Sequence, residues 1–249
     1  MFLSSRVAVL CLLLVGLSGT VLAGFIDLPP LPPPKLYGNI LINRGLSGSD
    51  VKAATFSHWS HRTKYTCTVC HLELGFNMIL NTTIITEAEN KEGKYCGACH
   101  DGKTAFGHTE EHCNKCHNGN KSYGGDQFKE LKSLAAAPYG NKIDWAGALE
   151  NGQIKPKSFL TEKSEPIQFE KELLLEAEMA MIPPAVFPHK KHIPWLDCAN
   201  CHPDIFNIKK KTTKHFSMSY ILKNEFCGVC HGKVAFPIDD CKRCHPKMR

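Results

Sequence analysis

Six times in this chain two cysteines stand three positions apart with a histidine immediately after the second. The sets are Cys67, Cys70, His71; Cys96, Cys99, His100; Cys113, Cys116, His117; Cys198, Cys201, His202; Cys227, Cys230, His231; and Cys241, Cys244, His245. Two thiols at this spacing can each form a thioether with one vinyl group of a single porphyrin. The next residue then places its imidazole under the iron, which makes Cys-x-x-Cys-His the attachment signature of a c-type haem. Zinc sites also use paired cysteines, but they do not require a histidine after every pair. With 13 histidines in 249 residues, composition alone would place one after all six pairs less than about once in ten million sequences. Six covalent haem c groups are therefore expected, with His71, His100, His117, His202, His231 and His245 as proximal ligands.

A second set of histidines precedes each group of three motifs. Phe56, His58 and His61 form Phe-x-His-x-x-His, and Phe187, His189 and His192 repeat it 131 positions later. Histidines three apart on a helical turn lie about 5–6 Å from one another at Cβ, so if each ligates a different iron the two haems must be neighbours. The same offset carries Cys67, Cys70, His71, Cys96 and Cys99 onto Cys198, Cys201, His202, Cys227 and Cys230, and the third motif recurs at an offset of 128. The chain is thus a tandem repeat.

The third distal ligand differs between the copies. In the second copy His215 stands between the first two attachment motifs, with Met218 as an alternative. The position matching His215 in the first copy is Ile84, and the candidates there are Met78, His108 and His112. A methionine ligand would raise a haem's potential relative to two histidines.

The order of these motifs resembles that of the triheme class III (c7-type) cytochromes c of metal-reducing bacteria, over residues 56–117 and 187–245. Tandem versions are similar to the so-called nanowire cytochromes. The resemblance implies a haem-cored fold, mostly irregular with short α-helices. It further implies bis-histidine haems of low potential, and electron shuttling in the periplasm by an electron carrier with no catalytic residues. The first module departs from the pattern at Ile84.

The elements that must position these residues are short. Residues 1–23 read as a secretory signal: Arg6 supplies the positive region, residues 7–15 a brief apolar run, and 21–23 a small-residue cleavage site. The run is too short to span a bilayer, and Cys11 leaves with the signal. Export to the periplasm follows, with the outer surface or the extracellular space as alternatives. Residues 24–55 form a Pro-rich arm read as extended spacer, 56–118 the first module, 119–186 a linker, and 187–249 the second module. Within the linker, Phe169, Leu173, Leu174, Ala177 and Met181 fit a helical face packing across the modules, with a strand around residues 169–173 as the alternative.

Each module is too small for a protein-only core, so the porphyrins must complete it. The formal charge of +6 falls to about +5 without the signal. Six ferric haems with ionised propionates bring it to about −1. Nothing in the sequence points to nucleic acid. The expected partners are other redox proteins or extracellular electron acceptors, or further copies of the chain in a haem filament. A multihaem reductase is the remaining alternative, although all six motifs end in histidine.

Overall fold

The computed structural model describes residues 28–161, 165, 167–209 and 212–248. The expected signal over 1–23, with Cys11, lies outside the described residues. Pro32–Arg249 forms one unit, and residues 28–31 belong to a separate N-terminal one.

Two hairpins organise that unit. Strand β1 (Asn39–Ile42) pairs antiparallel with β2 (Ala54–Ser57), with Ile40 opposite Phe56. Strand β3 (Glu172–Leu175) pairs with β4 (Ala185–Pro188), with Leu173 opposite Phe187. Each second strand runs without a break into a short helix, α1 (His58–Arg62) and α5 (His189–His192). The Phe-x-His-x-x-His motif is therefore a strand end followed by one helical turn. The phenylalanine faces its cross-strand partner, and both histidines fall on the same side of the turn.

The remaining helices are equally brief: α2 (Glu87–Lys91), α3 (Cys113–Cys116), α4 (Trp145–Glu150), α6 (Met218–Leu222), α7 (Gly228–His231) and α8 (Cys241–Cys244). Thr86 caps α2 in a reciprocal box with Glu89, the pattern that satisfies two otherwise orphaned amide donors. Helix α4 starts on Asp144, whose side chain accepts the Gly147 amide. No helix among the described residues is long and apolar enough to cross a membrane.

Two expectations are corrected. The segment around Gln168–Met181 does not form a helix; its strand alternative forms instead, at Glu172–Leu175. Pairing with the Phe187 strand satisfies backbone groups that a helix of about this marginal length would leave open at its ends. The helix that bridges the modules is α4. Trp145 lies under the Arg62 guanidinium, 5.0 Å from it, and Glu150 pairs with Lys191 at 2.6 Å. Likewise the Pro-rich arm is not a spacer throughout. Its middle packs: Tyr37–Asn39 are buried, and the Tyr37 hydroxyl donates to the Ala235 carbonyl at 2.7 Å.

The modules are docked rather than strung. The buried Thr68 hydroxyl donates to Asn200 Oδ1 at 3.1 Å and accepts the Asp197 amide at 3.0 Å. Its own amide donates to the Trp195 carbonyl at 3.3 Å. Among the described residues the buried hydrophobic core reduces to Tyr37, Trp59, Val69, Ile143, Ala148 and Ile154. All six lie before residue 155, and the second module adds the fully buried Pro237.

Candidate haem-binding sites

Attachment begins with a turn of helix. In five motifs the histidine amide donates to the first cysteine's carbonyl: His100 to Cys96, His202 to Cys198 and His231 to Cys227 at 2.9 Å, and His117 to Cys113 and His245 to Cys241 at 2.8 Å. The turn brings both thiols and the imidazole to one side. Two motifs carry glycine after the first cysteine. A Cβ on Gly97 would land on the Asn90 carbonyl, and one on Gly228 on the Ile221 carbonyl. Helices α2 and α6 thus press directly on the attachment turns, a role the sequence marks only by the repetition of Gly at the 131 offset.

All six proximal histidines bond through Nδ1 to a backbone carbonyl: His71 to Phe76 (2.9 Å), His100 to Phe106 (3.0 Å), His117 to Lys52 (2.9 Å), His202 to Phe206 (2.7 Å), His231 to Phe236 (2.8 Å) and His245 to Pro183 (2.7 Å). So do the four Phe-x-His-x-x-His histidines: His58 to Gly38 (2.7 Å), His61 to Ser57 (3.0 Å), His189 to Lys171 (2.7 Å) and His192 to Pro188 (2.9 Å). A carbonyl can only accept, so each Nδ1 donates. The proton is thereby fixed there, and Nε2 is left as a free lone pair, the tautomer a metal ligand needs. Lys52 and Pro183 keep the 131 offset, so the two third-motif histidines are held by matching segments.

The imidazoles then meet in pairs. The ring centroids of His58 and His71 are 6.5 Å apart with planes 8° from parallel. His61 and His100 are 6.3 Å apart, and His192 and His231 are 6.2 Å apart. Two imidazoles sharing one ion, with metal–nitrogen distances near 2.0–2.1 Å, put their centroids about 6.3 Å apart. These pairs therefore leave room for one iron between them. Phe56 explains its place in the motif: it lies edge-on to His58 at 4.8 Å and stacks on His61 at 4.5 Å. Phe187 repeats both contacts, at 4.8 Å with His189 and 4.4 Å with His192.

Electrostatics fit the same group. Withdrawal from water pulls His58 down to about 3 and His231 to about 4, and lowers His61, His71, His100 and His192. Burial thus favours in all six the neutral form that ligation requires. Burial also pushes the Cys70, Cys227 and Cys230 thiols up to about 12, and Cys96 and Cys201 to about 11. Such thiols resist the thiolate form that zinc or thiol–disulfide chemistry demands. A thioether carries no charge and meets no such penalty. An apolar groove lined by Ile40, Phe56, Phe76 and Leu80 opens around His58, His71 and Cys70.

The sequence profile of cytochrome c7 and related cytochrome c matches residues 54–118 and 185–246. The chain belongs to this family. It is a multihaem c-type cytochrome with two tandem c7 regions, mostly irregular and built on short helices. Three solved c7-type and related cytochrome structures are similar in sequence. The C-terminal hexaheme fragment of GSU1996 is 28% identical over 88% of this chain and 99% of its own, with a TM-score of 0.28. A c7-type three-heme cytochrome domain is 33% identical over 32% of this chain and 96% of its own, with a TM-score of 0.29. The dodecaheme cytochrome c GSU1996 is 22% identical over 85% of this chain and 75% of its own, with a TM-score of 0.30. No curated protein matches.

The third distal positions of the c7 regions look different. His215 is exposed, in the left-handed backbone region at φ 57, with its ring 6.0 Å from Tyr220. In the first region Met78 is half-buried and His108 exposed, and Glu87 lies in the electrostatic reach of both His108 and His117. His112 alone of these candidates bonds through Nδ1 to a carbonyl, that of Gly107 at 3.1 Å. The structure also refines the match to His215. Asn77 bonds Thr83 as Asn207 bonds Thr213, 130 positions on, while the helix caps Thr86 and Ser217 are 131 apart. The second copy gains one residue between these points, and His215 falls within that step.

Proposed function

We propose that the chain carries six haem c groups in the cell envelope and passes electrons between closely spaced neighbours. The twelve cysteines of the six motifs would supply the thioethers. The axial pairs would be His58 with His71, His61 with His100, His192 with His231 and, by the repeat, His189 with His202. The observation that carries this reading is the set of three imidazole pairs with centroids 6.2–6.5 Å apart, each with Nε2 left free.

Close spacing follows from α1 and α5, each of which holds two distal histidines one helical turn apart, so adjacent haems share a helix. Continuity between modules is supported by Thr68, next to Cys67, whose hydroxyl donates to Oδ1 of Asn200, next to Cys201, at 3.1 Å. The haems on His117 and His245 complete the set. His215, with Met218 as alternative, would serve His245, and one of Met78, His108 and His112 would serve His117. The iron on His117 is where exchangeable coordination, and any reductase activity, would reside.

Export rests on the signal expected at 1–23. The partners would be other redox proteins or extracellular acceptors, reached by haem-to-haem exchange rather than at a substrate site. A stepwise reductive titration followed at the haem absorption tests the reading. Six electrons per chain are expected, and a smaller number would refute it.

A further inference from the structure

Arg62 closes α1, directly after His61, and stands at the junction of the modules. Its Nη2 donates to the Val234 carbonyl at 3.1 Å, and its guanidinium lies 5.0 Å over the Trp145 ring. Tyr37, beside it, reaches the next carbonyl, Ala235, at 2.7 Å. His58 lies one helical turn before it on α1, and the Val234 whose carbonyl it holds donates its amide to the Cys230 carbonyl at 2.9 Å; the same charge helps lower His58 and His231. Among the described residues no carboxylate pairs with it. The contrast is Arg243, also close to His231, which pairs with Asp240 at 2.8 Å. At the 131 offset Arg62 corresponds to Ile193, so the charge is present in one module only.

A half-buried, uncompensated cation is expensive unless a negative charge develops near it. Reducing a haem adds one electron, and a fixed cation stabilises that electron most strongly where water is scarce. We propose that Arg62 is a potential-setting residue. It raises the potentials of the two haems flanking it, those on Cys67–Cys70 and Cys227–Cys230, so that electrons collect at the crossing between modules. Its charge acts through space and touches neither iron. This inference rests on the six-haem reading.

The test uses the full holoprotein, with haem count and potentiometric titration measured together. Arg62→Gln should keep six haems. At a fixed ambient potential, the reduced-to-oxidised ratio of the two junction haems should fall about tenfold, which is about 59 mV for a one-electron couple. Arg62→Lys, which keeps the charge, should titrate like the parent. Overlapping curves for Arg62→Gln and parent would overturn the proposal. So would an Arg62→Lys shift as large as that of Arg62→Gln, which would assign the effect to packing. A second measurement needs no variant. Stepwise reduction of the parent followed by NMR should show the junction haems reducing before the haem on Cys198–Cys201, and the reverse order would overturn it. A parent with fewer than six haems would instead refute the underlying reading.

Discussion

Replacing His192 by alanine should leave every haem attached and turn one iron in six high-spin. Attachment and distal ligation are separable in the proposed arrangement, because the thioethers would come from Cys227 and Cys230 and the proximal nitrogen from His231, none of which is touched. What the substitution removes is the imidazole whose centroid lies 6.2 Å from that of His231. Phe187, tilted against it at 4.4 Å, offers only hydrocarbon in its place. The iron on His231 becomes five-coordinate or takes water. Relative to the parent, one additional carbon monoxide per reduced chain should bind, and a high-spin ferric signal amounting to one haem should appear in the EPR spectrum. His58→Ala should do the same for the iron on His71. An unchanged spectrum and unchanged carbon monoxide uptake would break the assignment of these pairs.

The chain without haem should not fold. Among the described residues its strands are four residues each and paired two by two, and isolated two-stranded hairpins are marginal in water. Its longest α-helix among the described residues is α4, of six residues, whereas isolated helices below about 12–15 residues are rarely stable. Among the described residues of the second module the one fully buried large apolar side chain is Pro237, and Ile208 there is 81% exposed. Flat porphyrins supply both the apolar surface and the cross-links, much as metals and disulfides do in other small domains. Produced without haem attachment and kept reduced, the protein should give a disordered far-UV CD spectrum and no cooperative thermal transition, while the holoprotein gives one. A cooperative transition in the haem-free chain would show that the polypeptide alone suffices.

The chemistry of this protein was largely legible in its residues, because covalent attachment and axial ligation demand fixed types at fixed spacings. The six motifs, the 131-residue offset and the paired distal histidines all followed from that. The scaffolding was not. The first strands of the hairpins, Asn39–Ile42 and Glu172–Leu175, do the same work with different residues, since their task is to offer backbone groups and an apolar partner to Phe56 or Phe187. Leu173, Leu174 and Ala177 fit a helical face equally well, and only the pairing with Phe187 decided for a strand. The carbonyls that orient the imidazoles, from Gly38 and Lys171 to Lys52 and Pro183, have no side-chain signature at all. Arg62 was silent for another reason: its meaning depends on Val234, Trp145 and Cys230, far away in sequence and gathered only by docking of the modules.

The central claim is the number and covalency of the haems, and intact mass combined with a pyridine haemochrome assay tests it most directly. The account predicts the mass of the chain cut after residue 23 plus six haems that survive denaturation, with a haemochrome value of six per chain. Any smaller number, or haem lost on unfolding, would contradict it.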